Sequence, residues 1–197
     1  NIHNIKIGNV KIKLTKDKKV FEPNLTTFSL IEAIEKLKIK KKIKILDLGS
    51  GSGIFVIFLK KKFGKKIELY LSDYSKHAVK IINSNLKINK VTGTIKESNI
   101  LKEWSNEKFD LIINDISAIS SFVAKNYWYN KYIPHDCGKD GLKLSKKFLS
   151  SVKKNLKKKG TILMPVISIS DHKLLIKIIK KNFKSKMLVS KEWPAPK

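Results

Sequence analysis

The sequence predicts a doubly wound α/β fold, in which helices cover both faces of a mostly parallel sheet in three layers. Two observations carry this. Short apolar runs of strand length alternate with amphipathic runs of helix length across residues 44–190, the pattern of successive βαβ units. The first of those apolar runs, Lys44-Ile-Leu-Asp-Leu-Gly49, ends in a Gly-rich turn that leads straight into a helix, the place where such sheets hold ligands. Residues 1–23 precede this core as a small N-terminal β-hairpin extension. No linker, repeat or low-complexity tail divides the chain, so residues 1–197 read as a single domain.

Each element has its own reason. Ile5, Ile7, Val10, Ile12 and Leu14 alternate with Lys and polar residues around Gly8-Asn9, which reads as a hairpin. Glu22-Pro23-Asn24 breaks that pattern, and Thr26 or Thr27 is expected to cap a helix through Leu30, Ile31, Ile34 and Leu37. After the strand at residue 44, residues 54–63 form a helix that is almost wholly apolar in its first turns. Strands follow at 67–71, 91–96, 109–113, 161–169 and 187–189, and helices at 75–89, 142–156 and 171–182, with a short helical turn at 101–104.

Composition bounds the function classes. Hydrophobic residues make up 42% of 197, enough for one packed core, and the longest apolar run, Gly53–Leu59, is far below the ~20 residues that span a bilayer. The lone Cys137 excludes a disulfide framework, and Asn-Ile-His-Asn-Ile-Lys at the start holds no signal-peptide core; together they point to a reducing cytoplasm. The net charge of +27 invites a nucleic-acid reading, yet all 43 basic residues are Lys and none is Arg, the preferred fork for phosphates and base edges. Lys runs at 36–44, 60–66, 153–159 and 177–186 are expected at helix C-termini, where cations oppose the macrodipole and lie away from the strand carboxyl ends. A solvated surface accounts for them; an RNA or ribosome docking face is the alternative.

The chemistry concentrates in Asp47-Leu-Gly-Ser-Gly-Ser-Gly53. Gly49, Gly51 and Gly53 permit a sharp turn and a close approach to a ligand. Asp47 sets a carboxylate at the strand end, and Asp73 ends the next strand, where an acid accepts hydrogen bonds from ribose hydroxyls. The third glycine comes one residue too early for the dinucleotide fingerprint, since Ile54 takes its place, and an acid in the loop repels phosphate. A nucleoside carrying a positive charge fits better, which disfavours a nucleotide-dependent oxidoreductase. Gly51 at the centre of Gly-Ser-Gly-Ser-Gly excludes a hydrolase nucleophile elbow there. His135-Asp136-Cys137 has no second cluster to complete a metal site, so no metal is expected.

The D-x-G-x-G-x-G loop followed by Ser72-Asp73 resembles the first two motifs of class I S-adenosylmethionine-dependent methyltransferases, and the element order from Lys44 to Val189 is similar to their Rossmann-like core. The resemblance implies that Asp47, Gly49, Ser50, Gly51 and Gly53 hold the methionine part of S-adenosylmethionine (product S-adenosylhomocysteine), that Asp73 with Tyr74 holds the ribose, and that Asn99 lies near the adenine, where the family often has Asp. Three stretches resemble the branch containing release-factor glutamine and ribosomal or rRNA methyltransferases: Glu22-Pro-Asn-Leu-Thr-Thr-Phe28, Asn114-Asp-Ile-Ser117 in place of Asn-Pro-Pro-Tyr, and Cys137-Gly-Lys-Asp-Gly-Leu142. The implied acceptor is a protein side chain or RNA, with ribosome association.

In the full Asn-Pro-Pro-Tyr motif the Asn and a following carbonyl hold the planar nitrogen to be methylated, and the aromatic ring stacks on it. Here both prolines and the aromatic are replaced, so two readings stand: Asn114 and Ser117 cap a turn, or Asn114 and Asp115 hold the acceptor. Methyl transfer from a sulfonium needs positioning and desolvation above all, and a carboxylate takes the proton of a protonated acceptor. Asp115 is the candidate. Ser117, Tyr127, Trp128 and Tyr129 are candidate substrate contacts, the aromatics stacking on a planar group or packing a loop onto the sheet rim. The competing class is a non-catalytic RNA- or ribosome-binding protein on a degenerate methyltransferase fold.

Overall fold

A computed structural model describes residues 2–37, 39–127, 132–133 and 135–192. Strands β1 (Ile2–Ile7) and β2 (Val10–Thr15) form the hairpin, with Ile7 opposite Val10 across the two-residue Gly8-Asn9 turn. Then come α1 (Leu25–Glu35), β3 (Ile43–Leu48), α2 (Ile54–Phe63), β4 (Ile67–Asp73), α3 (Lys76–Ile88), β5 (Thr94–Glu97), β6 (Phe109–Asn114), α4 (Ser121–Tyr127), α5 (Lys143–Ser151), β7 (Leu156–Leu163) and α6 (His172–Asn182). The five core strands pair in parallel throughout, in the order β5-β4-β3-β6-β7.

That order reverses between β3 and β6. From β3 the chain winds through β4 to β5 on one side, then crosses back to β6 and β7 on the other, so the carboxyl ends of β3 and β6 flank the crevice. Strand parity sorts the core. Ile45, Leu69, Leu71, Leu111 and Ile113 pack with α1, α2, α3 and the hairpin on one face. Leu46, Leu48, Tyr70 and Ile112 pack with α5, α6 and Trp104 on the other, where Tyr70, Trp104 and Phe109 meet edge-to-face at 5.3–5.9 Å. Helix α2 is apolar around its whole first half because it is buried there on every side, from Ile54 to Leu59.

The hairpin is bolted to the core through the free edge of β2. Asn85 Oδ1 accepts from Thr15 N (2.8 Å), Asn89 Oδ1 accepts from Lys13 N (3.0 Å), and Asn89 Nδ2 donates to Lys13 O (2.6 Å). Side chains of α3 and its C-cap thus satisfy backbone groups that an edge strand otherwise leaves open.

Several expectations are corrected. Helix α1 is capped by Asn24, whose side chain accepts from Thr27 N while Thr27 Oγ1 accepts from Asn24 N, a reciprocal capping box that starts the helix before either threonine. Helix α5 ends at Ser151, and a 3₁₀ turn over Val152–Asn155 feeds β7, which starts at Leu156 and closes at Leu163. Buried Asn155 Nδ2 donates to the carbonyls of Trp104 and Glu107, so a tertiary anchor stops the helical pattern. Residues 187–189 form no strand; Leu188 and Val189 pack on the core instead, with Lys36 Nζ donating to Leu188 O. Of the four Lys runs, those after α2 and α6 occupy last helical turns. The run at 36–44 begins at the α1 C-cap, and 153–159 spans the 3₁₀ turn and the edge strand β7, where charge guards an open sheet edge. Among the described residues, no helix is long and apolar enough to cross a membrane.

Candidate active site

The loop between β3 and α2 is built from alternating left-handed glycines, with φ of 74° at Gly49, 52° at Gly51 and 78° at Gly53. Gly49 N and Ser50 N both donate to Ser72 O, Ser50 Oγ donates to the Asp47 carbonyl (2.8 Å), and Gly53 N donates to Ser50 O (2.7 Å). The loop is therefore held rigid before any ligand arrives. Gly49 is required twice over: its φ suits only glycine, and a Cβ there would sit 3.0 Å from Ile116 Cγ2 in the facing loop. Asp73 fastens the other side, accepting from Gly51 N (3.0 Å) on one oxygen and from Ser75 N (2.9 Å) on the other. Each oxygen keeps a further lone pair for a hydroxyl donor.

Asp47 lies fully buried beneath this loop, and neither of its carboxylate oxygens has a hydrogen-bond partner. Native interiors rarely leave such a group orphaned, because the cost is large unless something completes it. Burial, and next the charge of Asp115, push its carboxyl up to about 8. Asp115 follows β6 on the adjacent strand, its backbone N–H reaching Leu48 O at 3.4 Å. It is half-buried at the rim, and enclosure pushes its carboxyl up to about 7. Burial likewise pushes Asp73 up from the usual range, against the lowering effect of its backbone donors. Three acidic side chains thus surround the switch point.

On the acceptor side, Asn114 is buried at the end of β6, its Oδ1 accepting from Ile116 N at 3.3 Å, so it caps its own turn. Its amide nitrogen has no partner among the described residues. The Ser117 hydroxyl donates to His135 O (2.6 Å), and Cys137 Sγ donates to Ser117 O (3.0 Å). Cys137 is a buried loop anchor. Gly141, φ 74°, is hemmed in by Ser170, Ser120 and Ala118, while Asp171 N donates to Asp140 O. The stretch from Cys137 to Leu142 therefore ties the loops after β6 and β7 into one rim.

Around the mouth, Tyr74 is 70% exposed and Tyr127 60%, the latter with its ring 5.9 Å from exposed Phe122. Trp128 and Tyr129 lie outside the described residues. Asn99 is exposed past β5, accepting from Lys147 Nζ at 3.3 Å. Next to it stands a residue that sequence reading missed: Ile100, buried, with a φ of 58°. A β-branched residue in the left-handed region is strained, and such strain gathers at ligand sites. Ser98 Oγ holds it by donating to Ile100 O (2.9 Å). Nothing in the sequence pattern marks it. Among the described residues no cluster fit to hold a metal ion occurs.

These residues fit a cationic, ribose-bearing cofactor. An orphaned buried acid awaits a positive charge, a rigid glycine cradle lies above it, and a tethered carboxylate ends the next strand. A family model described as "Methyltransferase domain" matches residues 39–195. The chain belongs to that family. It is a methyltransferase. It is 28% identical over 176 residues to a protein of Methanocaldococcus jannaschii provisionally named a protein N5-glutamine methyltransferase, covering 89% of this chain and 85% of that one. It is 30% identical over 177 residues to the release factor glutamine methyltransferase of Flavobacterium psychrophilum, covering 84% of this chain but 62% of the relative, so it spans less than two-thirds of that protein. The fold is similar to a 16S rRNA N2 methyltransferase of T. thermophilus solved with AdoMet and guanosine, at TM-score 0.68 and 15% identity over 90% of this chain and 44% of that one.

Proposed function

We propose that this methyltransferase acts on a side-chain nitrogen of a protein, or on RNA, of the translation apparatus in the cytoplasm, and that residues 1–197 work as one domain around the β3–β6 crevice. The observation that carries the site assignment is the buried, unpartnered Asp47 carboxylate under the left-handed glycine loop. Relatives named for glutamine, ribosomal-protein and rRNA methylation support the acceptor class.

When bound, S-adenosylmethionine supplies an electrophilic methyl group on a sulfonium. The residues of this chain do the rest. The Gly49–Gly53 backbone admits close approach, and ionised Asp47 and Asp115 offset positive charge. Asp73 would accept from ribose hydroxyls, and Tyr74, Asn99 and Ile100 would hold the base. Asn114, with its amide nitrogen uncommitted, and Asp115 face the acceptor, Asp115 taking the proton that an incoming N–H or O–H loses. Ser117 acts through the rim, since its hydroxyl is already engaged by His135. Exposed Tyr127 contacts the acceptor.

The test is transfer of a labelled methyl group from S-adenosylmethionine into cell extract, followed by nuclease or protease digestion. Label released by either treatment identifies the acceptor class. Absence of protein- or RNA-bound label, under conditions where the donor is bound, contradicts the reading.

A further inference from the structure

Where the hairpin meets the C-terminal ends of α2 and α3, an open cleft of about 560 Å³ is formed. Five lysines line it, Lys6, Lys11, Lys13, Lys61 and Lys90, and no acidic side chain does. None of the five forms an ion pair with an acid among the described residues, although Lys42, Lys44, Lys62, Lys146 and Lys157 elsewhere do.

The arrangement goes beyond a solvated Lys-rich surface, because it gathers like charge in fixed geometry. Lys6 stands directly opposite Lys11 across the hairpin, where like charges destabilise a strand pair. Lys11 and Lys13 share that face by strand alternation, while Ile12 and Leu14 fill the core side. The backbone that presents them is held by Asn85 and Asn89, and the Lys61 ammonium donates to Lys11 O at 2.6 Å. Enclosure, and then the neighbouring Lys13 charge, pull Lys61 below the ordinary lysine value. Lys90 reaches the cleft from a left-handed backbone, φ 55°. The carbonyl ends of two helices oppose an anion here with roughly half a charge each, which five ammonium groups outweigh.

We propose that this cleft, whose lining includes none of the crevice residues, is a docking site for the phosphodiester backbone of RNA. Evenly spaced, solvated phosphates suit several mobile ammonium groups on a concave face, and the absence of Arg and of exposed rings in the lining makes the contact sequence-independent. It goes beyond the catalytic assignment and does not depend on it.

Fluorescence anisotropy with a labelled single-stranded RNA oligonucleotide tests this. The triple variant Lys11→Gln/Lys13→Gln/Lys90→Gln is compared with a charge-matched control, Lys177→Gln/Lys180→Gln/Lys184→Gln, on and just beyond α6. The cleft variant is expected to weaken RNA binding about tenfold or more and to reduce the salt slope by roughly 2, from three phosphate contacts at about 0.7 each. The control is expected to change affinity less than about threefold. Restoring charge with Arg at the same three positions restores binding, which separates loss of charge from misfolding. Equal weakening in both variants, no weakening in either, or polyglutamate bound at the cleft as tightly as RNA overturns the proposal.

Discussion

At Gly49 the backbone and the neighbouring loop make the same demand. Gly49→Ala places a Cβ at a φ of 74° and 3.0 Å from Ile116, so we expect a loss of about 1–2 kcal/mol from the left-handed strain alone, lowering Tm by roughly 2–8 °C. Thermal denaturation reads this directly, and an unchanged Tm contradicts the described loop. Asp73→Ala removes the acceptor for ribose hydroxyls and the tether to Gly51, and is expected to weaken donor binding at least about tenfold. The acids at the crevice also give the site a pH dependence. Asp47 rises from 3.8 to about 8 on burial, so its contribution to stability is full below about pH 4 and is lost as pH rises toward 8. A bound cation favours the ionised form, so donor affinity rises between pH 6 and 8.5 and binding releases protons. Calorimetry in buffers of different ionisation enthalpy measures that release; Asp115→Asn lowers it, and pH-independent binding with no release contradicts the charge pairing. The glycines, Asp47 and Asp73 were legible in the sequence because their spacing along one loop and two strand ends is local. Ile100 was not, since a strained φ leaves no trace in residue pattern. Nor was the influence of the Asp115 charge on Asp47, which depends on β3 and β6 becoming neighbours.

Among the elements, α2 matches its expected bounds at both ends, because Gly53 and Gly64 bracket a run that is apolar from Ile54 to Leu59. The stretch 142–156 was misread as one helix, since Leu142, Phe148, Leu149 and Val152 continue the helical period until Asn155 is drawn to Trp104 O and Glu107 O. The apolar triplet at 187–189 has strand composition yet pairs with nothing among the described residues, so composition alone misassigned it. The hairpin depends on a few polar anchors. Asn89→Ala leaves Lys13 N and O without their partner and is expected to cost about 1–3 kcal/mol. Hydrogen exchange should quicken across β2 while β3 and β6 stay protected; uniform protection throughout contradicts the anchoring role.

On the scale of the whole molecule, charge and chemistry are separated. The acids that define the crevice stand at the carboxyl ends of β3, β4 and β6, and the lysine cleft lies where α2 and α3 finish. The +27 net charge, which at first reading suggests only a biased surface, includes one group of lysines around a cleft with no acid lining it among the described residues. Family membership fixes the class of reaction, while the acid in the Asn114-Asp115-Ile116-Ser117 turn gives this crevice its own electrostatics. The most direct measurement is calorimetric titration with S-adenosylmethionine. We predict saturable one-to-one binding accompanied by proton release and weakened at least about tenfold by Asp73→Ala. Absence of binding by both S-adenosylmethionine and S-adenosylhomocysteine contradicts the account.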